Sequence, residues 1–275
     1  MKDEEVRKAV RENYGKIALQ KTSCCGTSSG CSCNSGCAQD TVGKAIGYSD
    51  EEISAVPEGA NLGLGCGNPT ALASLKMGEA VLDLGSGAGF DCFLASDKVG
   101  ESGRVIGVDM TAEMLEKARE NAIKGTYNNV EFRLGEIENL PVANDSVDVV
   151  ISNCVINLSP KKERVFQEAF RVLKPGGRVM VSDIILLKEL PLIVKNSIKA
   201  YVGCVAGAIT REDYIAAVTD AGFCEVEVIK EMSVKGLYNI DSVQELISDL
   251  EILPEVVKEA EDSIVSIQIK AFKPL

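Results

Sequence analysis

The chain has 275 residues, 45% of them hydrophobic and 25% charged, with a formal net charge of −12. That balance is ordinary for a folded globular protein and too acidic to favour nucleic acid or an anionic membrane surface as a partner. Histidine is absent and cysteine occurs 10 times, which excludes His-ligated metals and His-based acid–base or nucleophile pairs and leaves thiols as the chemistry to explain.

The charged start, Met1-Lys2-Asp3-Glu4-Glu5, lacks an apolar signal core, and no apolar run approaches bilayer length. The expectation is a cytoplasmic protein, whose cysteines serve as ligands, redox thiols or packing residues rather than as a disulfide frame. Residues 4–19 set Val6, Val10, Tyr14 and Ile17 at helical spacing, predicting an amphipathic helix packed on the main domain. Residues 23–37 are small, polar and Gly-rich and carry Cys24, Cys25, Cys31, Cys33 and Cys37. This reads as a mobile loop suited to a soft ion or to thiol exchange, with structural zinc as the alternative. In the glycine-rich stretch 61–69, Cys66 stands between two glycines and is expected to be exposed and functional.

Val81-Leu82-Asp83-Leu84 then reads as a buried parallel strand that breaks into Gly85-Ser86-Gly87-Ala88-Gly89. Alternating glycines let the backbone turn sharply and approach a ligand. A second apolar run, 105–108, ends at Asp109, where a doubly wound fold places the carboxylate that accepts ribose hydroxyls. Helices are predicted over 91–99, from a Thr111 cap to Lys124, and from a Ser159 N-cap to Leu173. Strands are predicted over 130–134, 147–152 and 178–184. Beyond residue 190 the pattern loosens: a helical stretch to about Ala200, a Thr210-capped helix to Ala221, strands over 224–229 and 264–272, and short helices near 241–250 and 254–261. The whole predicts an α/β doubly wound, mostly parallel sheet. Residues 1–60 form an N-terminal helix and Cys-rich loop, 61–187 the core, and 188–275 a lid with closing strands. Cys154 lies just past the fourth strand, Cys66 precedes the first, and Cys204 follows the fifth. All three therefore converge on the sheet edge where open α/β sheets bind ligands. Cys92 and Cys224 lie in apolar contexts and are expected in the core.

Asp83 to Gly89, Asp109, Leu140-Pro141-Val142 and the Leu173-Lys174-Pro175-Gly176-Gly177 turn resemble the class I S-adenosylmethionine-dependent methyltransferases, whose sheet is Rossmann-like. The resemblance implies that Asp83, Gly85, Ser86, Gly87, Gly89, Asp109 and Met110 bind the cofactor. It further implies that Glu136 and Ile137 hold the adenine, and the backbone near Asn153 the amino-acid end. Gly65-Cys66-Gly67, Ser152-Asn153-Cys154-Val155-Ile156-Asn157-Leu158, Gly203-Cys204 and Cys24-Cys25-Gly26 are similar to the arsenite methyltransferases. Leu64 stands where members often carry an aromatic residue. The implied chemistry is methyl transfer to trivalent arsenic, arsenite and then methylarsenite, held by Cys66, Cys154 and Cys204. Cys37, matched by its distance from Cys66, would serve a disulfide relay emptied by an external thiol reductant of thioredoxin or glutathione type. Two rivals stand beside this reading. A C-methyltransferase of a quinone-like ring would share the core but would not need the three cysteines. A non-enzymatic metalloid-binding or redox protein would leave the cofactor turn unexplained.

Overall fold

The computed structural model describes residues 3–20, 38–190, 195, 201, 204–233 and 262–275. The Cys-rich loop with Cys37, most of the stretch 190–200, and the helices expected near 241–250 and 254–261 lie outside these residues. The core is a seven-stranded sheet in the order β3-β2-β1-β4-β5-β7-β6. Strands β1 (Ala80–Leu84), β2 (Arg104–Asp109), β3 (Val130–Leu134), β4 (Val147–Asn153) and β5 (Leu173–Leu186) pair in parallel. The last strand, β7 (Ile264–Phe272), runs antiparallel between β5 and the edge strand β6 (Cys224–Ser233).

Every residue of β1 is buried because the sheet is covered on both faces. The period of two sends Val81, with Val105, Val149 and Met180, against helices α5 (Phe90–Val99) and α6 (Ala112–Gly125). It sends Leu82 and Leu84, with Val108, Val150 and Val181, against α7 (Lys162–Val172) and α8 (Arg211–Asp220). A third apolar cluster gathers at the carboxyl edge, where Val6 and Val10 of α1 (Asp3–Leu19) meet Leu158, Ile184, Leu186, Cys66, Cys154 and Cys204. The N-terminal amphipathic helix thus packs on the domain as predicted, and it packs over the ligand edge. Short helices α2 (Ala38–Ala45), α3 (Asp50–Ala55) and α4 (Pro69–Leu72) precede β1.

Three features depart from the sequence reading. Helix α7 starts at Lys162 with Lys161 as its N-cap. Ser159 is engaged earlier, accepting the Lys161 N–H at 3.0 Å and donating to Glu138 at 2.8 Å. The Lys174–Gly177 turn is absorbed into β5, because Gly176 N–H donates to Lys273 O (3.0 Å) and Lys273 N–H donates to Gly177 O (2.8 Å). Cys224 opens the edge strand and is only half-buried, its thiol donating to Phe272 O at 3.4 Å, whereas Cys92 is a core residue as expected. Among the described residues no helix is long and apolar enough to cross a membrane.

Candidate active site

A cleft enclosing ≈ 1140 Å³, open mouth included, lies at the carboxyl ends of β1, β2 and β4. Its floor is the turn after β1. Gly85 and Ser86 donate their N–H groups to Val108 O at 2.8 and 3.1 Å, folding the turn onto the end of β2. Gly85 has a φ of 68°, and a Cβ there would sit 2.3 Å from Val155 Cγ2. Only glycine meets both demands. The Asp109 carboxylate accepts the Gly87 N–H at 3.0 Å and the Thr111 N–H at 2.8 Å. Asp109 therefore shapes the turn and holds the N–H of Thr111, which is the N-cap residue of α6 as expected, although its own side chain makes no cap bond. Asp83, Gly85, Ser86, Gly87, Asp109, Met110, Ile137 and Asn153 all line the cleft.

Two of the predicted cofactor residues stand apart from the cleft lining. Gly89 caps α5, and its missing Cβ makes room for the rings of Phe93 and Phe132, which would otherwise approach to 2.8 and 2.9 Å. Glu136 is drawn to Arg7 and Arg11 of α1, at 3.6 and 3.5 Å, while Glu138 takes its place in the wall. The structure also brings in residues that sequence patterns missed. Tyr48 donates to Asp91 at 2.7 Å, and the Asn153 amide donates to Tyr48 Oη (2.9 Å), Asp91 (3.1 Å) and Gly67 O (2.8 Å). Burial pushes the Asp91 carboxyl up to about 6. Tyr48 precedes β1 by more than thirty residues and carries no local signal; Asp91 does, at the opening of α5 directly after the glycine turn.

The cysteines meet at one side of this cleft. Cys66 is 4% exposed, which overturns the expectation of an exposed thiol. Its flanking glycines pack the loop down rather than freeing it: a Cβ at Gly65 or at Gly67 would lie 2.7 Å from Asn153 or Ser182. The Cys66 N–H donates to Asn153 Oδ1 at 3.0 Å, and its carbonyl accepts the Ser266 hydroxyl at 2.8 Å. Its thiol donates to Ser182 O at 3.5 Å, the same oxygen that accepts the Cys154 N–H at 2.8 Å. Cys154 and Cys204 are also buried, and both hold left-handed backbone, with φ of 58° and 65°. Such conformations cost energy for a residue with a Cβ and cluster at functional sites.

The Cys204 thiol donates to Cys154 O at 3.1 Å and is hydrogen-bonded to Tyr14 of α1. Asp183, next to Ser182 on β5, places a carboxylate oxygen within 4.8 Å of the Cys66 and Cys154 sulfurs. Burial pushes the Cys66 thiol up, and Cys204 rises through its bond to Cys154 and then through burial. At Cys154 the bond from Cys204 pulls the other way, but Cys66 and burial outweigh it. The pocket therefore holds neutral thiols; Cys154 lines the cleft, and Cys66 and Cys204 share its buried cluster without lining the cleft themselves. Soft, multivalent centres that exchange hydroxide for thiol suit such a set.

The "Methyltransferase domain" family matches residues 75–261. An arsenite methyltransferase of Halobacterium salinarum is 48% identical over 98% of this chain and 67% of its own length. The human arsenite methyltransferase is 34% identical over 83% of this chain, which spans 61% of that relative. The crystal structure of CrArsM, an arsenic(III) S-adenosylmethionine methyltransferase from Chlamydomonas reinhardtii, superposes with a TM-score of 0.63 at 33% identity, over 85% of this chain and 73% of that one. The chain thus spans two thirds or less of the length of these curated relatives. On a 48% identity that runs over nearly the whole chain, this chain belongs to the arsenite methyltransferase family.

Proposed function

We propose that the chain transfers the methyl group of S-adenosylmethionine to trivalent arsenic held by Cys66, Cys154 and Cys204. The observation that carries the reading is the convergence of three buried, uncharged thiols beside the cleft of a nucleoside-type cofactor, with Cys154 in both. The cleft suits that cofactor on its own terms. Ser86 Oγ is buried without a partner, the position of a Cβ on Gly87 meets nothing within 4 Å, and Asp109 faces the cleft with lone pairs to spare. Asp109 would accept the ribose hydroxyls, Ile137 and Met110 would flank the adenine, and Asp83 and the edge near Asn153 would hold the amino-acid end. When bound, S-adenosylmethionine supplies an electrophilic methyl group, which arsenic accepts through its lone pair.

The protein's part is binding, orientation and exclusion of water. Arsenite exchanges each hydroxide for a thiol with release of water, so the protonated thiols of the pocket are the form required and no general base is needed. Three sulfurs on one side of arsenic leave its lone pair pointing away from them, and Cys154 is the thiol that opens on the cleft. Methylation raises arsenic formally by one electron pair, which a thiol pair returns as it closes to a disulfide. Cys37 is the candidate partner of Cys66 in that step, with an external dithiol or glutathione-type reductant restoring both. A quinone-ring methyltransferase is the weaker reading, since it gives no reason to bury Cys66, Cys154 and Cys204 together.

The test is direct. Purified chain, S-adenosylmethionine, arsenite and a thiol reductant should yield methylated arsenic, and Cys154→Ser should yield none. A folded wild-type protein that binds the cofactor yet leaves arsenite unmethylated under these conditions would refute the reading.

A further inference from the structure

The thiol pocket contains a carboxylate for which methyl transfer has no use. Three thiolates satisfy trivalent arsenic and leave it neutral, so Asp183 contributes no needed bond or charge. Yet one of its oxygens and the sulfurs of Cys66 and Cys154 all lie within 4.8 Å of one another, every one of them buried. The carboxylate is held by partners of the kind that fix metal-ligating acids: it accepts Asn157 Nδ2 at 2.9 Å, the Ile184 N–H at 2.9 Å and the Tyr214 hydroxyl at 3.1 Å. A positive charge stands behind it. Lys162 is 8% exposed, donates to Ser159 O at 3.0 Å, and acts electrostatically on Asp183.

We propose that Cys66, Cys154 and Asp183, with a solvent ligand completing the tetrahedron, form a binding site for a thiophilic divalent cation of the zinc and cadmium type. Tetrahedral zinc, with metal–sulfur bonds of about 2.3 Å and metal–oxygen bonds of about 2.1 Å, needs donors roughly 3.5–3.8 Å apart. The observed triad closes to that spacing with shifts of about an ångström. Two thiolates and a carboxylate around a divalent cation leave one negative charge, which Lys162 offsets; the thiol protons leave to solvent as the metal binds. A cation here takes two of the sulfurs assigned to arsenic, so it competes with arsenite. That competition rests on the arsenite reading, whereas the metal site itself does not.

The experiment reads the metal directly. In the full chain carrying Cys24, Cys25, Cys31, Cys33 and Cys37 as serine, Cd2+ is titrated by equilibrium dialysis, then displaced with Zn2+. One Cd2+ per chain is expected, displaced by Zn2+. Asp183→Asn should weaken Cd2+ at least tenfold while arsenite affinity stays within threefold. Equal Cd2+ affinity in the two proteins would overturn the proposal. If Asp183→Asn does not fold, the cadmium-113 resonance of the parent decides: it moves with each sulfur ligand, and a mixed sulfur–oxygen position supports the site, whereas an all-sulfur position refutes it.

Discussion

Removing the Asn153 side chain should cost arsenite binding more than it costs folding. Asn153 is the fastener of the Cys66 loop: its Oδ1 takes the Cys66 N–H at 3.0 Å and its Nδ2 reaches Gly67 O at 2.8 Å. In Asn153→Ala both backbone groups lose this partner, while Tyr48 keeps its bond to Asp91 at 2.7 Å. Leaving two buried polar groups unpaired costs about 2–4 kcal/mol at 1–3 kcal/mol each, with partial relaxation. The cheapest response is for the loop to lift and hydrate those groups, and then Cys66 no longer faces Cys154. The penalty then appears in ligand affinity, as a roughly 30- to 700-fold loss for arsenite at 1.4 kcal/mol per decade. Calorimetric titration of arsenite, with Cys66→Ser as the comparison, measures it; the two variants should bind alike. Arsenite affinity within threefold of wild type in Asn153→Ala would show that the loop is held by something else.

Asp109→Ala should weaken S-adenosylmethionine binding by about 1–3 kcal/mol, since the Gly87 and Thr111 N–H groups lose their acceptor along with the ribose, and arsenite binding should survive. Unchanged cofactor affinity by calorimetry would count against the assignment. Gly65→Ala puts a methyl 2.7 Å from Asn153 Nδ2 and should mimic Asn153→Ala in arsenite titration, with no loss if the loop has room. Asp91 has a carboxyl raised by burial to about 6, so its charge opposes folding at neutral pH. The stability from its protonation is complete below the ordinary value near 3.8 and lost as pH rises through about 6. Thermal melts of the ligand-free chain should therefore show wild type gaining on Asp91→Asn as pH falls from about 7.5 to about 5; parallel profiles would refute this. Methylarsenite has valence for two thiolates only. Cys154→Ser and Cys204→Ser should therefore abolish its methylation while Cys66→Ser retains much of it, an order that separate assays of the two substrates would confirm or reverse.

The strands were legible because their apolar runs have no alternative use. Val130–Leu134 and Ile264–Phe272 fall where period and flanking turns place them. Thr210 was readable as a cap because its hydroxyl does accept the Asp213 N–H, at 3.2 Å. Ser159 misled because a serine before proline caps equally well on paper, whereas its hydroxyl here is shared with Glu138 across 21 positions of sequence. Cys66 misled for a related reason. Glycines on either side of a residue leave it bare locally, but they also let a neighbouring strand come close, and only the tertiary contacts with Asn153, Ser182 and Ser266 decide which. The convergence of three thiols on one sheet edge was readable from topology. The carboxylate of Asp183 was hidden inside an apolar strand, where its sign of function is burial itself.

That burial has a kinetic side. Cys66, Cys154 and Cys204 are each under a tenth exposed, and of the three Cys154 lines the open cleft. On the proposed reading, arsenite meets Cys154 first and the two more enclosed sulfurs afterwards, and its association should fall below the roughly 10⁵–10⁷ M⁻¹ s⁻¹ of an open surface. The same enclosure should slow the escape of arsenic once it is bound.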